Sequence, residues 1–261
     1  MARSLWTGSL SFGLVNVPVT INSAVRDLDL HFRQLHAKDA APIEVQRWCP
    51  EDDAEVPYED IAHSYELDGG NQVIVTDEDL EAVEPRRTRT IDIEQFVDLD
   101  DVDPIFFDHP YFLAPASSDD GAVRAYRLLV EVMARTDRAA LGRFVMRAME
   151  YLAIIRARDD ALALTTMRFA DEVRSRDDVD AATAKKYKPT AKQRDAAVAV
   201  IEELSEAWRP ERHVDCYRRR LEDVVERKRQ GETVKAPAAE AAPSPAPDLM
   251  EALERTLAEL K

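Results

Sequence analysis

Glycine is scarce in this chain, seven in 261 residues, and a glycine-rich loop that cradles phosphates is thereby excluded. Neither G-x-x-x-x-G-K-[ST] nor G-x-G-x-x-G occurs, and H-E-x-x-H and G-x-S-x-G are missing too. The common nucleotide-dependent, zinc-peptidase and serine-hydrolase chemistries therefore have no footing, and neither enzymatic activity nor a cofactor is expected. Cysteine is limited to Cys49 and Cys216. Two distant thiols make no disulfide framework and fit a reduced, cytoplasmic protein. Cys49 with His31, His36 and His63 lacks the paired C-x2-C or H-x3-H spacing of a zinc site, so these read as packing or surface residues and no metal is expected. The acidic run Glu51, Asp52, Asp53, Glu55, Glu59 and Asp60 lacks calcium-loop spacing and reads as a solvated loop. No apolar run reaches eighteen residues, which argues against a membrane span. Small and polar residues follow Arg3 where an export signal would need an apolar core. Positive charge is also short: 35 Lys and Arg stand against 51 Asp and Glu, a formal −16. Such a balance opposes nucleic acid unless the cations are segregated onto one surface, because phosphate affinity follows the local field.

Apolar residues make up 45% of the chain, enough for a core. In the opening MARSLWTGSLSFGLVNVPVTI, Leu10, Phe12 and Leu14 alternate with small or polar residues, and Val15, Val17, Val19 and Ile21 alternate in the opposite phase. This is strand periodicity. The phase change at Gly13 predicts a bulge in a curved sheet, a barrel device, and Pro18 is expected beside that bend or at an edge. A turn at Gly69-Gly70-Asn71 leads to a short strand at Gln72–Val75, Thr76 with Asp79 opens a helical turn that Pro85 stops, and Thr90 to Val97 is a further strand. Between these lie Arg86, Arg87 and Arg89, the densest basic cluster of the first half; Arg33, Lys38 and Arg47 are spread along strands or loops before it. Lysines and arginines guard sheet edges as readily as they bind phosphate, so the two roles stand side by side here.

Asp98, Asp100, Asp101 and Asp103 read as a turn, with Phe106, Phe107, Tyr111 and Phe112 packing under a loop. Val123, Tyr126, Leu129, Val130 and Met133 predict an amphipathic helix over 122–135. The period then changes. Arg143, Val145 and Arg147 oppose Phe144, Met146 and Ala148, so a strand would hold two guanidiniums on one side roughly 14 Å apart. Strands from Tyr151 to Arg158 and from Ala161 to Arg168, turned at Asp159-Asp160, add Arg156, Arg158 and Arg168. Five arginines on one meander make a cradle for a phosphate backbone, with no base-reading Asn or Gln helix beside them; the competing reading is a lattice of surface ion pairs.

Lys185, Lys186 and Lys188 lie in a loop before the capping box Thr190-x-x-Gln193, whose helix is expected to run to about Trp208; Pro210 opens another, with Val214, Tyr217, Leu221, Val224 and Val225 on one face and Gly231 as its stop. Residues 232–247 form a semi-extended linker whose composition collapses to alanine and proline from Ala236 to Pro247. The last segment, 248–261, carries Leu249, Met250, Leu253, Leu257 and Leu260 as a narrow stripe suited to binding a partner. The expected fold is mixed β/α, a β-barrel core with peripheral helices and a flexible C-terminal extension.

Several stretches resemble the bacterial Ku family: the opening above, His36-Ala37-Lys38-Asp39, Tyr65-Glu66, Val75-Thr76-Asp77-Glu78-Asp79-Leu80, Ile91-Asp92-Ile93-Glu94-Gln95-Phe96-Val97, Asp103-Pro104-Ile105-Phe106-Phe107-Asp108 and Arg168-Phe169-Ala170-Asp171-Glu172-Val173-Arg174. They occur in order over roughly residues 1 to 230. The resemblance implies a Ku-core, SPOC-like barrel over 1–231 with a projecting arm, placed here around 40–62, and helices around 122–135 and 190–229. It implies a homodimer ringing double-stranded DNA ends in non-homologous end joining, nucleoid-associated in the cytoplasm, that recruits an ATP-dependent DNA ligase of the ligase D type through its C-terminal portion. A lysine-rich tail found in many relatives is not present before Lys261. Two other readings of the residues stay open, an acidic protein-interaction scaffold without DNA binding and a hydrolase using the acids of 98–103.

Overall fold

A computed structural model of the chain describes residues 4–83, 89–178, 188–234 and 249–260. The chain divides into two compact units, Met1–Asp27 with Arg33–Arg174, and Leu28–Phe32 with Ser175–Lys261.

The first unit is built on a closed seven-stranded barrel. Its strands are β1 (Trp6–Phe12), β2 (Val15–Ser23), β7 (Thr90–Asp98), β8 (Phe107–Pro115), β9 (Arg138–Met146), β10 (Met149–Arg158) and β11 (Ala161–Met167), ordered β1-β2-β8-β11-β10-β9-β7. Every neighbour pairs antiparallel except β1 with β7, and that parallel pair closes the circle. Alternation does what it should: Leu10, Val17, Val19, Ile21, Ile91, Leu113, Phe144, Ile155, Leu162 and Leu164 are buried in one cluster. Gly13 is not a bulge. Phe12 pairs with Val15 across Gly13-Leu14, and Gly13 takes φ +59, as the first residue of a two-residue hairpin turn requires. A chain that doubles back after an even residue and resumes on an odd one inverts its phase, which is the signal the alternation carried. Pro18 falls on β2 just before its ladder with β8 begins at Val19. The aromatics near 107–112 do not lie under a loop. They belong to β8, paired on both sides, although Asp108, His109 and Pro110 interrupt its apolar pattern.

Helix α2 (Asp120–Thr136) leaves the barrel after β8 and returns at β9, crossing the end that also holds the β1–β2 and β10–β11 turns. Tyr126, Leu129, Val130 and Met133 bury its face in the barrel cluster. The Tyr126 hydroxyl donates to the Leu113 carbonyl at 2.7 Å and accepts from the Leu162 amide at 2.9 Å, stitching the helix to two strands. Burial raises the phenol above its ordinary value near 10. Tyr126→Phe leaves a buried amide and a carbonyl short of one partner each, and is expected to cost about 2 kcal/mol, seen as a fall in denaturant midpoint at unchanged slope. With the folded pKa raised, this hydroxyl's contribution is complete below the unfolded phenol value and is lost as pH rises through the folded one, so the difference between wild type and variant should shrink only in strong alkali.

Residues 33–83 of this unit form the hairpins β3–β4 (Trp48–Cys49, Ala54–Glu55) and β5–β6 (His63–Glu66, Gln72–Val75), then α1 (Asp77–Val83). The Asp79 carboxylate accepts from the Thr76 amide and hydroxyl while its own amide donates to the Thr76 hydroxyl, a reciprocal cap that holds the Asp79 pKa below the usual carboxylate value. No described residue from 33 to 83 is buried: Val45 is 92% and Tyr58 72% exposed, and Trp48, Tyr65 and Ile74 are exposed as well.

In the second unit the Thr190–Gln193 capping box opens α3 (Ala191–Leu204), which ends before Trp208. Pro210 starts a separate 3-10 turn, Pro210–Arg212, instead of the next helix; α4 (Cys216–Arg229) begins only at the Asp215 cap, and Gly231 follows its end at φ +84. Helix α5 (Leu249–Leu260) packs along α3, with Lys192 and Glu254 paired at 3.1 Å. Most of the 232–247 linker lies outside the described residues. No helix among the described residues is long and apolar enough to cross a membrane.

Candidate nucleic-acid interface

The expected single wall of five arginines is divided between the two ends of the barrel. Arg158 lies at the α2 end, ion-paired to Asp159 at 3.2 Å beside a turn in which Asp159 and Asp160 both have positive φ. Arg156, on the same stretch, lines a shallow cleft with Leu99, Met133, Asp137 and Arg138. The other three gather toward the opposite end, from which the 24–89 insertion leaves and returns. Even there they are not one row. Arg147 is not on β9: with φ +53, followed by Ala148 at +64, it is the first central residue of the β9–β10 hairpin. The chain reverses there, so no strand face carries both Arg143 and Arg147.

Their electrostatic states differ as well. Arg143 stands between Glu94 (3.0 Å) and Glu150 (3.3 Å) with its guanidinium 5.9 Å from the Phe169 ring centre. Arg168 is held by Asp108 at 2.6 Å, with Glu172 at 4.0 Å. These cations are already compensated, by Glu94 and Asp108 from distant strands and by Glu150 and Glu172 from nearby in the chain. Arg89 and Arg147, by contrast, make no ion pair among the described residues, and they line one cleft of about 240 Å³ together with Trp6, Val145, Met146 and Ala148. Both are exposed.

Local sequence explains the juxtaposition. Trp6 donates its indole N–H to the Val145 carbonyl at 2.9 Å and meets Phe144 edge-on at 5.9 Å; Phe144 stacks on Tyr151 at 5.5 Å. This aromatic floor fixes the start of β1 against the end of β9. Ser9 donates to the Arg89 carbonyl at 2.9 Å, bringing residue 89 alongside β1, and a Cβ on Gly8 would come within 2.1 Å of that carbonyl oxygen and 2.3 Å of the Trp6 ring. Only glycine at position 8 lets Arg89 sit where it does. Trp6 was not among the expected site residues, and nothing in its spacing marks it beyond its place at the head of a strand. Tyr111, also near this end, is raised above the ordinary phenol value, first by burial and then by neighbouring Tyr151, with Arg147 acting the other way.

The remaining cations are dispersed. Arg33 and Lys38 are exposed in the insertion, and Arg47 lies 5.3 Å over the Tyr58 ring. Lys188 is exposed ahead of α3 in the second unit. Arg86, Arg87, Lys185 and Lys186 lie outside the described residues. Of the terminal stripe, Leu249 is 50% exposed, Met250, Leu253 and Leu257 are half-buried in the packed α5, and the Leu260 side chain is outside what is described. Among the described residues no group of His, Cys, Asp and Glu has a metal-holding arrangement.

A closed barrel accords with the family comparison: the model described as the Ku70/Ku80 beta-barrel domain matches residues 11–196. The chain belongs to the Ku family. Similar proteins include the non-homologous end joining protein Ku of Anaeromyxobacter sp. (strain K), 40% identical over 99% of this chain and 86% of that protein. Non-homologous end joining protein Ku 1 of Geotalea uraniireducens (strain Rf4) is 38% identical over 99% and 98%. The Ku of Mycobacterium tuberculosis (strain CDC 1551 / Oshkosh) is 34% identical over 88% and 84%. Ku membership places the exposed arginine cleft on a barrel of a double-strand-break repair family, and the net charge of −16 is the feature such a role must accommodate.

Proposed function

We propose that this chain binds ends of double-stranded DNA in non-homologous end joining without reading sequence, as a homodimer closed around the duplex that hands the ends to an ATP-dependent ligase of the ligase D type. The observation that carries the reading is the pair of uncompensated guanidiniums, Arg89 and Arg147, on one cleft at the barrel end that bears the insertion. Two cations without an ion pair among the described residues, over an aromatic floor, suit phosphate oxygens, and the one Asn or Gln within the described helices, Gln193, is engaged in the α3 cap rather than offered to base edges. The exposed apolar residues of the insertion, including those of the arm region 40–62, support association with a second copy, since exposed apolar surface is what a dimer contact covers. The stripe on α5 supports recruitment of the ligase.

The acidic balance then has a role. Each chain carries −16, so a duplex approaching sideways is repelled while a threaded end reaches the cationic cleft. A shift assay comparing a linear duplex with a covalently closed circle of equal length and sequence tests this. The linear form is expected to bind at least roughly tenfold tighter, with affinity falling steeply in salt. Equal affinity for the two topologies would refute threading.

A further inference from the structure

The segment from Trp208 to Arg220 carries charge of the opposite sign to the chain as a whole: five arginines against two carboxylates. It is also where aromatics stand out from the surface. Trp208 is 74% and Tyr217 73% exposed. Trp208 is not loose. The 3-10 turn Pro210–Arg212 folds the chain back so that the His213 ring stacks on the indole, centres 4.8 Å apart and planes 17° from parallel. The Arg212 guanidinium, paired to Glu206 at 2.6 Å, braces that turn, and His213 donates its amide to the Pro210 carbonyl. One face of the indole is thus backed by imidazole and the other is open to solvent. Arg209 and Arg220 make no ion pair among the described residues, and Arg219 has only the Cys216 sulfur at 3.7 Å.

A one-sided aromatic plane in a segment rich in arginine is the arrangement that holds unpaired bases: the ring stacks the base and the cations take the adjacent phosphates. We infer that Trp208, backed by His213, with Arg209 next to it in the chain and Arg219 and Arg220 on the first turns of α4, is a stacking platform for unpaired nucleotides at DNA ends. Arg and Trp also serve in protein contacts. Here the local excess of cations in an acidic chain favours a polyanion. The inference rests on the end-binding reading and adds to it a preference for ends that are not blunt.

The test uses the full-length protein and duplexes closed by a hairpin at one end, the other end being blunt or bearing a short oligothymidine extension. Wild type is expected to prefer the extended end by roughly five- to one-hundred-fold, the worth of one to a few stacked bases. Trp208→Ala should abolish that preference and leave blunt-end affinity unchanged, whereas Trp208→Phe should keep part of it. The indole is exposed, so its removal spares the fold; circular dichroism of the variants checks this. Tight binding to blunt and extended ends alike overturns the platform while leaving end binding intact. Failure to bind either end overturns both. Retention of the preference in Trp208→Ala, with loss only of ligase stimulation, assigns the surface to a protein partner and overturns the inference.

Discussion

Reversing charge at both Arg89 and Arg147, as Arg89→Glu with Arg147→Glu, is expected to weaken binding to duplex ends on the order of a thousandfold at moderate salt and to flatten its salt dependence. In a homodimer the pair becomes four guanidiniums. If each neutralises one phosphate, the slope of log affinity against log salt should fall by about 3 to 4, because each lost contact removes close to one released counterion. Neither side chain is needed for folding: both are exposed and neither makes an ion pair among the described residues. The matched control is Arg158→Glu, at the α2 end of the barrel, where a small change is expected. Sedimentation should show the proposed dimer retained in every variant. A double variant that keeps the wild-type salt slope would remove the cleft from the phosphate path.

Loss of α5 should separate binding from joining. Truncation after Val234, or Leu253→Asp with Leu257→Asp, is expected to leave end affinity within about twofold and to lower ligase-stimulated joining at least roughly tenfold. The helix is weakly retained where it lies. Twelve residues are too few to be stable alone in water, and the ion pair to α3 found among the described residues, Lys192 with Glu254, is exposed on both sides and contributes at most about 1 kcal/mol. A partner groove offering a fuller apolar lining than α3 would therefore take α5 at small cost. Joining that survives both changes would transfer the recruiting role elsewhere on the chain.

Much of the barrel was legible because alternation and burial obey the same period. β1, β2, β7, β10 and β11, the face of α2 and the cap of α3 can all be read from local patterns. β8 could not be: Asp108, His109 and Pro110 break its alternation, and only pairing with β2 and β11, more than forty residues away on the β11 side, makes it a strand. The turn at Arg147-Ala148 was hidden for a related reason. Left-handed turns announce themselves through glycine or asparagine, and here arginine and alanine adopt that conformation under the constraint of the two long strands they join. The site was legible in residue type but not in state. Arginine spacing shows where guanidiniums enter the chain, while Glu94 and Asp108, which compensate Arg143 and Arg168, arrive through long-range pairing.

The backbone at Arg147 has a wider consequence. A side chain held at positive φ is disfavoured by about 1 kcal/mol relative to glycine, and selection for a sturdy hairpin alone would have installed Asn-Gly at that corner. On the proposed reading, heat tolerance and grip on DNA compete for position 147. Consensus-style hardening of this corner would yield a tougher barrel that lets go of broken ends.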